Sequence, residues 1–156
     1  MHIYIRILIA LLLLTWTAGI FAEFIIPSGS PAQVSLPFLN IAYSNVCHQN
    51  SAKAIVFGVH HSLVCSRCSG IYIGASLMSI LVIFVKVNLR SDLKRWMPAA
   101  IVLPMLADVI FYKAGLYEYS KNAAFFTGLL SGSAGFLYIL DAFKNFINEY
   151  YRKKEL

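Results

Sequence analysis

Four apolar runs of near-spanning length constrain this chain more than any other feature. They lie at about residues 5–26, 69–87, 97–114 and 123–143, each bounded by polar or charged residues. A bilayer core about 30 Å thick takes roughly 20 residues of helix. Only 13% of the 156 residues are charged and 59% are hydrophobic, against about one quarter charged in a soluble domain. A chain this apolar cannot hide its surface in water. The expected fold is an all-α integral membrane protein, one domain over residues 1–156, with about four transmembrane helices and a loop at 27–68 between the first two. The first run has a competing reading, because Arg6, the apolar core and the small residues Ala18, Gly19 and Ala22 also suit a cleaved signal peptide.

Charge sets the expected orientation. Between the second and third runs, Lys86, Arg90, Lys94 and Arg95 face one acid, Asp92, and Lys144, Arg152, Lys153 and Lys154 follow the fourth. Basic loops stay in the cytoplasm. The first loop has only Lys53 and Arg67 as bases, and the last connection holds Lys113, Glu118 and Lys121. The expected topology is multi-pass in the cell (inner) membrane, with both termini cytoplasmic and the 27–68 loop outside. The formal net charge of +6 is thus read as topological. No basic cluster has a nucleic-acid-binding pattern, so the expected partner is the lipid bilayer and not nucleic acid.

Gly70 and Gly74 on the second run, and Gly128 and Gly132 on the fourth, each form a G-x-x-x-G, with Ser131 and Gly135 extending the second ridge. Such ridges let helix backbones approach where lipid supplies no hydrophobic drive, although glycine is also simply common in membrane helices. Asp108 lies inside the third run, near mid-bilayer if that span begins at Met97. A charge there costs about 2.5–3.5 kcal/mol by insertion scales. The acid is expected to lack a nearby base and to bond helices together, with Tyr112 one turn on and Thr127, Ser131 and Ser133 within reach. The functional alternative is a proton- or ion-handling acid, which would suit a small transporter or an accessory subunit of a membrane complex.

The first loop carries the chemistry. It starts as a turn-rich connector, Pro27-Ser-Gly-Ser-Pro31 and later Leu36-Pro37-Phe38, expected to lie along the membrane surface. It then gathers Cys47-His48-Gln49, His60-His61 and Cys65-Ser66-Arg67-Cys68, which hold all three cysteines and three of the four histidines. The remaining one, His2, is assigned no role. A C-x-x-C turn converges two sulfurs on one ion, and a returning Cys/His pair can complete the shell. Cys47, Cys65 and Cys68 are the first expected ligands, with His48, or else His60 or His61, as the fourth. Zinc suits such a Cys3His set, and soft thiolates also accept Cu(I). The function expected is metal binding, structural or metal-handling, with no enzymatic role implied. Two cysteines could instead form a structural disulfide. Arg67 could favour thiolate, meet lipid phosphate, or snorkel.

A C-x-x-C pair at the head of the second helix of a four-helix protein also resembles the disulfide-generating quinone reductases of the bacterial inner membrane, which would make Cys65 and Cys68 a thiol–disulfide couple. Those enzymes carry a second cysteine pair, and the last connection here has none.

The string Cys47-His48-Gln49 with Cys65-Ser-Arg-Cys-Ser-Gly-Ile-Tyr-Ile-Gly74 resembles DUF2085, a family of small predicted prokaryotic membrane proteins. Leu103-Pro104-Met-Leu-Ala-Asp108 resembles its Pro-x-x-x-Asp helix, and Thr127-Gly128 with Gly132 its Thr-Gly-x-x-x-Gly helix. The likeness runs from about Val46 to Leu140. It implies the architecture and the site, not a reaction. The family commonly has Gly after the acid and Arg three positions before the Thr-Gly, where this chain has Val109 and Ala124. The lost Arg implies that an acid–base pair across the third and fourth helices is absent here.

Overall fold

Each apolar run is a helix in the computed structural model, which describes residues 3–26, 29–85, 91–116 and 118–154. His2, Lys86 and Arg90 lie outside the described residues, as do the side chains of Asp92, Lys94, Arg95, Lys153 and Lys154. In chain order the elements are α1 (Ile3–Ile20), α2 (Ala22–Ile25), α3 (Leu36–Ser44), β1 (Ala54–Phe57), β2 (His60–Cys65), α4 (Ser66–Phe84), α5 (Ser91–Lys113) and α6 (Lys121–Lys154), with short 3-10 turns before α3 and β1. Four helices are long and apolar enough to cross a membrane: α1, α4, the 96–113 part of α5 and the 121–146 part of α6. The protein is an integral membrane protein built on these four.

The ends of the helices differ from the apolar runs for local reasons. The first run breaks at Phe21, and the short α2 that follows carries Glu23 to the side chain of His61. Helix α4 begins at Ser66 rather than 69, because strand β2 feeds straight into it through Cys65 at the N-cap. Helix α6 runs on past 143 to Lys154. No glycine or proline follows Gly135 to stop it, and Asn145 donates to Asp141 one turn back. Its 34 residues span about 51 Å, well beyond the hydrocarbon core. Pro98 and Pro104 both sit inside α5, which membrane helices tolerate when neighbours satisfy the freed carbonyls. Between the two prolines, Ser131 of α6 donates to the Ile101 carbonyl of α5 at 2.9 Å and ties the helices together.

Helices α4 and α6 form the centre of the bundle, and they touch backbone to backbone. A Cβ placed on Gly70 would strike the Phe125 carbonyl, and one on Gly74 the Leu129 carbonyl. From the other side, Gly128 lies against the Arg67 carbonyl and Gly132 against that of Ile71. The contacts advance together along both chains, so the two helices run parallel and their G-x-x-x-G ridges interlock. Gly135 has open space where its side chain would be, so the ridge ends at Gly132.

Polar side chains tie α1 to α4. Thr17 and Ser76 share a 2.8 Å hydrogen bond, and Arg6 donates to the Val82 carbonyl near the far end of α4 at 2.9 Å. At the opposite end the 29–65 segment folds down. The hydroxyl of buried Tyr43 on α3 donates to the Trp16 carbonyl at 2.6 Å, in a space that only a glycine at position 19 leaves free. The small core there joins Ile20, Ala22, Tyr43, Cys47, Leu63 and Val64.

Strands β1 and β2 form an antiparallel hairpin, an element absent from the reading of this loop as a connector. Gly58, at φ +63°, makes the turn, a conformation cheap only for glycine. A register shift between Ala54 and Val56 brings Ala54 opposite Cys65.

Gly132→Leu should destabilise the bundle by about 1–3 kcal/mol or more through overpacking, read as a lower melting temperature in detergent. Gly135→Ala should leave it unchanged. Equal effects at the two positions would contradict the interlocked packing.

Candidate metal centre

Cys47 meets the Cys65-x-x-Cys68 pair at the hairpin end of the bundle. Cys47 follows α3, whose C-terminal turn is closed by hydrogen bonds from Val46 and Cys47 N–H to the Tyr43 carbonyl. Cys65 ends β2, and Cys68 lies in the first turn of α4. Their sulfurs all lie within 4.8 Å of one another, and the thiols are free. The Cys65 N–H donates to the Cys47 sulfur at 3.2 Å, so the returning loop is pinned by the centre itself. Cys47 is buried in the small apolar core, and Cys65, Cys68 and Tyr72 pack against it. The Cys68 thiol hydrogen-bonds to the Cys65 sulfur and outweighs the effect of burial, holding the Cys65 thiol well below the ordinary thiol range. Thiolate is the form that binds metal or attacks a disulfide.

The histidines stand apart from this group. His61 places Nδ1 2.6 Å from Glu23 Oε2, and its backbone N–H donates to the same oxygen at 3.1 Å. His60 faces the ring of Phe24 at 6.2 Å. His48 is exposed. Among the described residues, the group placed to hold an ion consists of sulfur alone. Gln49 takes a positive φ of 46° directly after His48, and its side-chain amide holds that turn by donating to the Asn40 carbonyl at 2.9 Å and side-chain oxygen at 2.6 Å.

Arg67, between the two cysteines of the C-x-x-C, pairs with Asp108. This overturns the expectation of an acid without a base. Asp108 lies little more than one turn before the end of α5 at Lys113 and meets the first turn of α4 through Arg67. The residues expected around it turn elsewhere as well. Thr127 donates to the Ala124 carbonyl on its own helix, and Ser131 donates to the Ile101 carbonyl. Tyr112 packs against Tyr119 with ring centres 5.7 Å apart, and the Lys53 ammonium sits over both rings at 4.8 and 4.9 Å. Burial pushes the Tyr119 hydroxyl up to about 12. The position where the resemblance implies a missing Arg, Ala124, is fully buried, and the base comes instead from α4. Arg67 therefore touches α6 through its carbonyl and α5 through its guanidinium, while its neighbours Cys65 and Cys68 face the loop. Its Nε is buried without a hydrogen-bond partner.

Arg67 was visible in the sequence as the residue inside the C-x-x-C, but its partner was not, since 41 residues separate it from Asp108. Glu23 carried no signal beyond interrupting an apolar run.

A family described as a predicted membrane protein, DUF2085, matches residues 47–138. An uncharacterised protein of Methanocaldococcus jannaschii is 32% identical over 108 residues, which cover 67% of this chain and 68% of that protein. Another, from Methanothermobacter thermautotrophicus, is 29% identical over 87 residues, 56% of this chain and 78% of its own length. No solved structure matches the chain significantly. The matched region begins at Cys47 and so takes in all three cysteines, Arg67, Asp108 and both glycine ridges.

Removing one member of a buried ion pair strands the other, at about 3–5 kcal/mol. Asp108→Leu should lower detergent stability by that order, and Asp108→Asn should also destabilise, because an amide leaves Arg67 uncompensated. The double variant Arg67→Met with Asp108→Leu should recover most of the loss. Simple additivity in this double-mutant cycle would mean that the pair is not coupled.

Proposed function

This chain belongs to the DUF2085 family of predicted membrane proteins, and we propose that it holds a metal ion on Cys47, Cys65 and Cys68 at one end of its helix bundle, in a structural or metal-handling role. The observation that carries this reading is the convergence of three sulfurs within 4.8 Å from three separate positions in the fold. Thiolates bound to one ion at about 2.3 Å stand about 3.8 Å apart, so small side-chain adjustments suffice. The ion is of the thiophilic class to which zinc and Cu(I) belong.

The bases favour an extracytoplasmic position for this centre in the cell membrane. In the sequence the basic segments are those between α4 and α5 and after α6, on the side opposite the 27–68 loop if the four spans alternate, with both termini cytoplasmic by the positive-inside rule. Arg67, one of the bases at that end, is engaged with Asp108 and contributes little to that count. A bound ion would also keep three clustered thiols from oxidising in such a compartment.

A second reading draws on the lowered Cys65 thiol beside Cys68. Oxidation of the two thiols to a disulfide would release two electrons and two protons, reducing a membrane quinone to quinol. Here Cys47 would be a bystander.

Protein purified under reducing conditions should carry close to one metal ion per chain by elemental analysis. Cys47→Ser should lose it as fully as Cys65→Ser or Cys68→Ser. Metal-free protein with a quantitative Cys65–Cys68 disulfide, reducible by quinol, would decide for the redox couple. For orientation, a membrane-impermeant thiol reagent should label a cysteine placed at Ser120 in intact cells, in a background lacking the native cysteines, and should spare one placed at Ser91. The reversed pattern would place the centre in the cytoplasm.

A further inference from the structure

We infer that the ion held here is a soft univalent d10 cation, Cu(I), bound by three thiolates with no fourth ligand from the described protein. This rests on the reading of the cysteines as a metal centre. It names which ion that centre selects.

The argument starts from coordination number. Protein zinc is almost always four-coordinate, and a site with three protein ligands keeps a water or substrate as the fourth. Cu(I) is softer and carries one charge fewer than Zn2+, so three thiolate donors in a plane complete its shell. At a metal–sulfur distance of about 2.3 Å, a trigonal set places its sulfurs about 4.0 Å apart, compatible with three sulfurs all within 4.8 Å of one another.

The surroundings argue against a fourth donor. Each histidine close in sequence is committed or turned away: His61 to Glu23, His60 to Phe24, and His48 to solvent. Water is held off on the Cys47 side of the centre, where that residue is only 7% exposed and packs among Ile20, Ala22, Tyr43, Leu63 and Val64, with Tyr72 against its edge; Cys65 and Cys68 are partly exposed. A water ligand needs polar partners of its own, and this wall offers mostly aliphatic surface. The same apolar side suits Cu(I), which oxygen oxidises and which disproportionates in water when it is left unligated. Soft sulfur donors select Cu(I) and zinc over harder ions, and the three-donor set is what favours Cu(I) between those two.

The experiment uses the whole protein in detergent, reduced and free of oxygen. Cu(I) is offered as its bicinchoninate complex, alone and against an excess of Zn2+. The expected result is transfer of one Cu(I) per chain from the coloured probe, three sulfur neighbours and no nitrogen by X-ray absorption, and no displacement by zinc. Cys47→Ser should weaken Cu(I) binding by on the order of a hundredfold or more, with its melting curve recorded alongside to verify folding. His48→Ala, His60→Ala and His61→Ala should each leave Cu(I) affinity unchanged. Zinc bound in preference to Cu(I) with a nitrogen or oxygen fourth ligand would overturn this inference and leave the metal centre standing. Binding of neither ion would overturn both.

Discussion

The close approach of α4 to α6 is the constraint on which the rest of this structure depends. In lipid, two helices gain nothing from hiding apolar surface from each other, so they associate by packing at short range. Gly70, Gly74, Gly128 and Gly132 put no side chain of their own into the seam, and each lies against a backbone carbonyl of the other helix. One end of that seam is the Arg67 carbonyl against Gly128. The first turn of α4 is thereby held in place, and with it Cys65 and Cys68. The cysteine cluster is thus positioned by a helix contact that contains none of its three residues.

The pairing of Arg67 with Asp108 adds a third helix to that turn. A buried ion pair is weak evidence of net stability, because desolvating both charges offsets much of their attraction. Its contribution here is registry. Helix α5 carries two prolines and has fewer close backbone contacts than the α4/α6 seam, so a single directional interaction can decide how far it slides. The serines act similarly. Ser66 donates to the Lys121 carbonyl, Ser131 to that of Ile101, and Ser76 meets Thr17. Each bonds a neighbouring helix and leaves the lipid-facing surface apolar.

The hairpin and α3 form a cap over the end of the bundle. Tyr43 anchors the cap on α1, and Cys47 anchors it on the C-x-x-C by accepting the Cys65 N–H. A centre assembled in this way spans two separately positioned pieces, the α4 head and the cap. Binding an ion there would therefore strengthen the hold of the cap on the bundle, which couples occupancy of the centre to the order of the whole 29–65 segment.

The sequence by itself determined the membrane class and the four helices, because hydrophobic length is a local property and the bilayer demands it. It also singled out the three cysteines and the two glycine ridges, since both depend on residue type and short spacing. It did not reveal the β-hairpin, although Ile55-Val56-Phe57 before Gly58 is β-branched and apolar in the manner of a strand. A short apolar run reads equally as loop, strand or helix end until its partner is known. Tertiary structure alone decided which groups meet across long separations. Asp108 gained Arg67, Glu23 took His61, and Cys47 came to Cys65 and Cys68 without a histidine. Each of those pairings depends on how helices and cap lie against one another, and a linear pattern does not encode a distance between residues 41 or 38 positions apart.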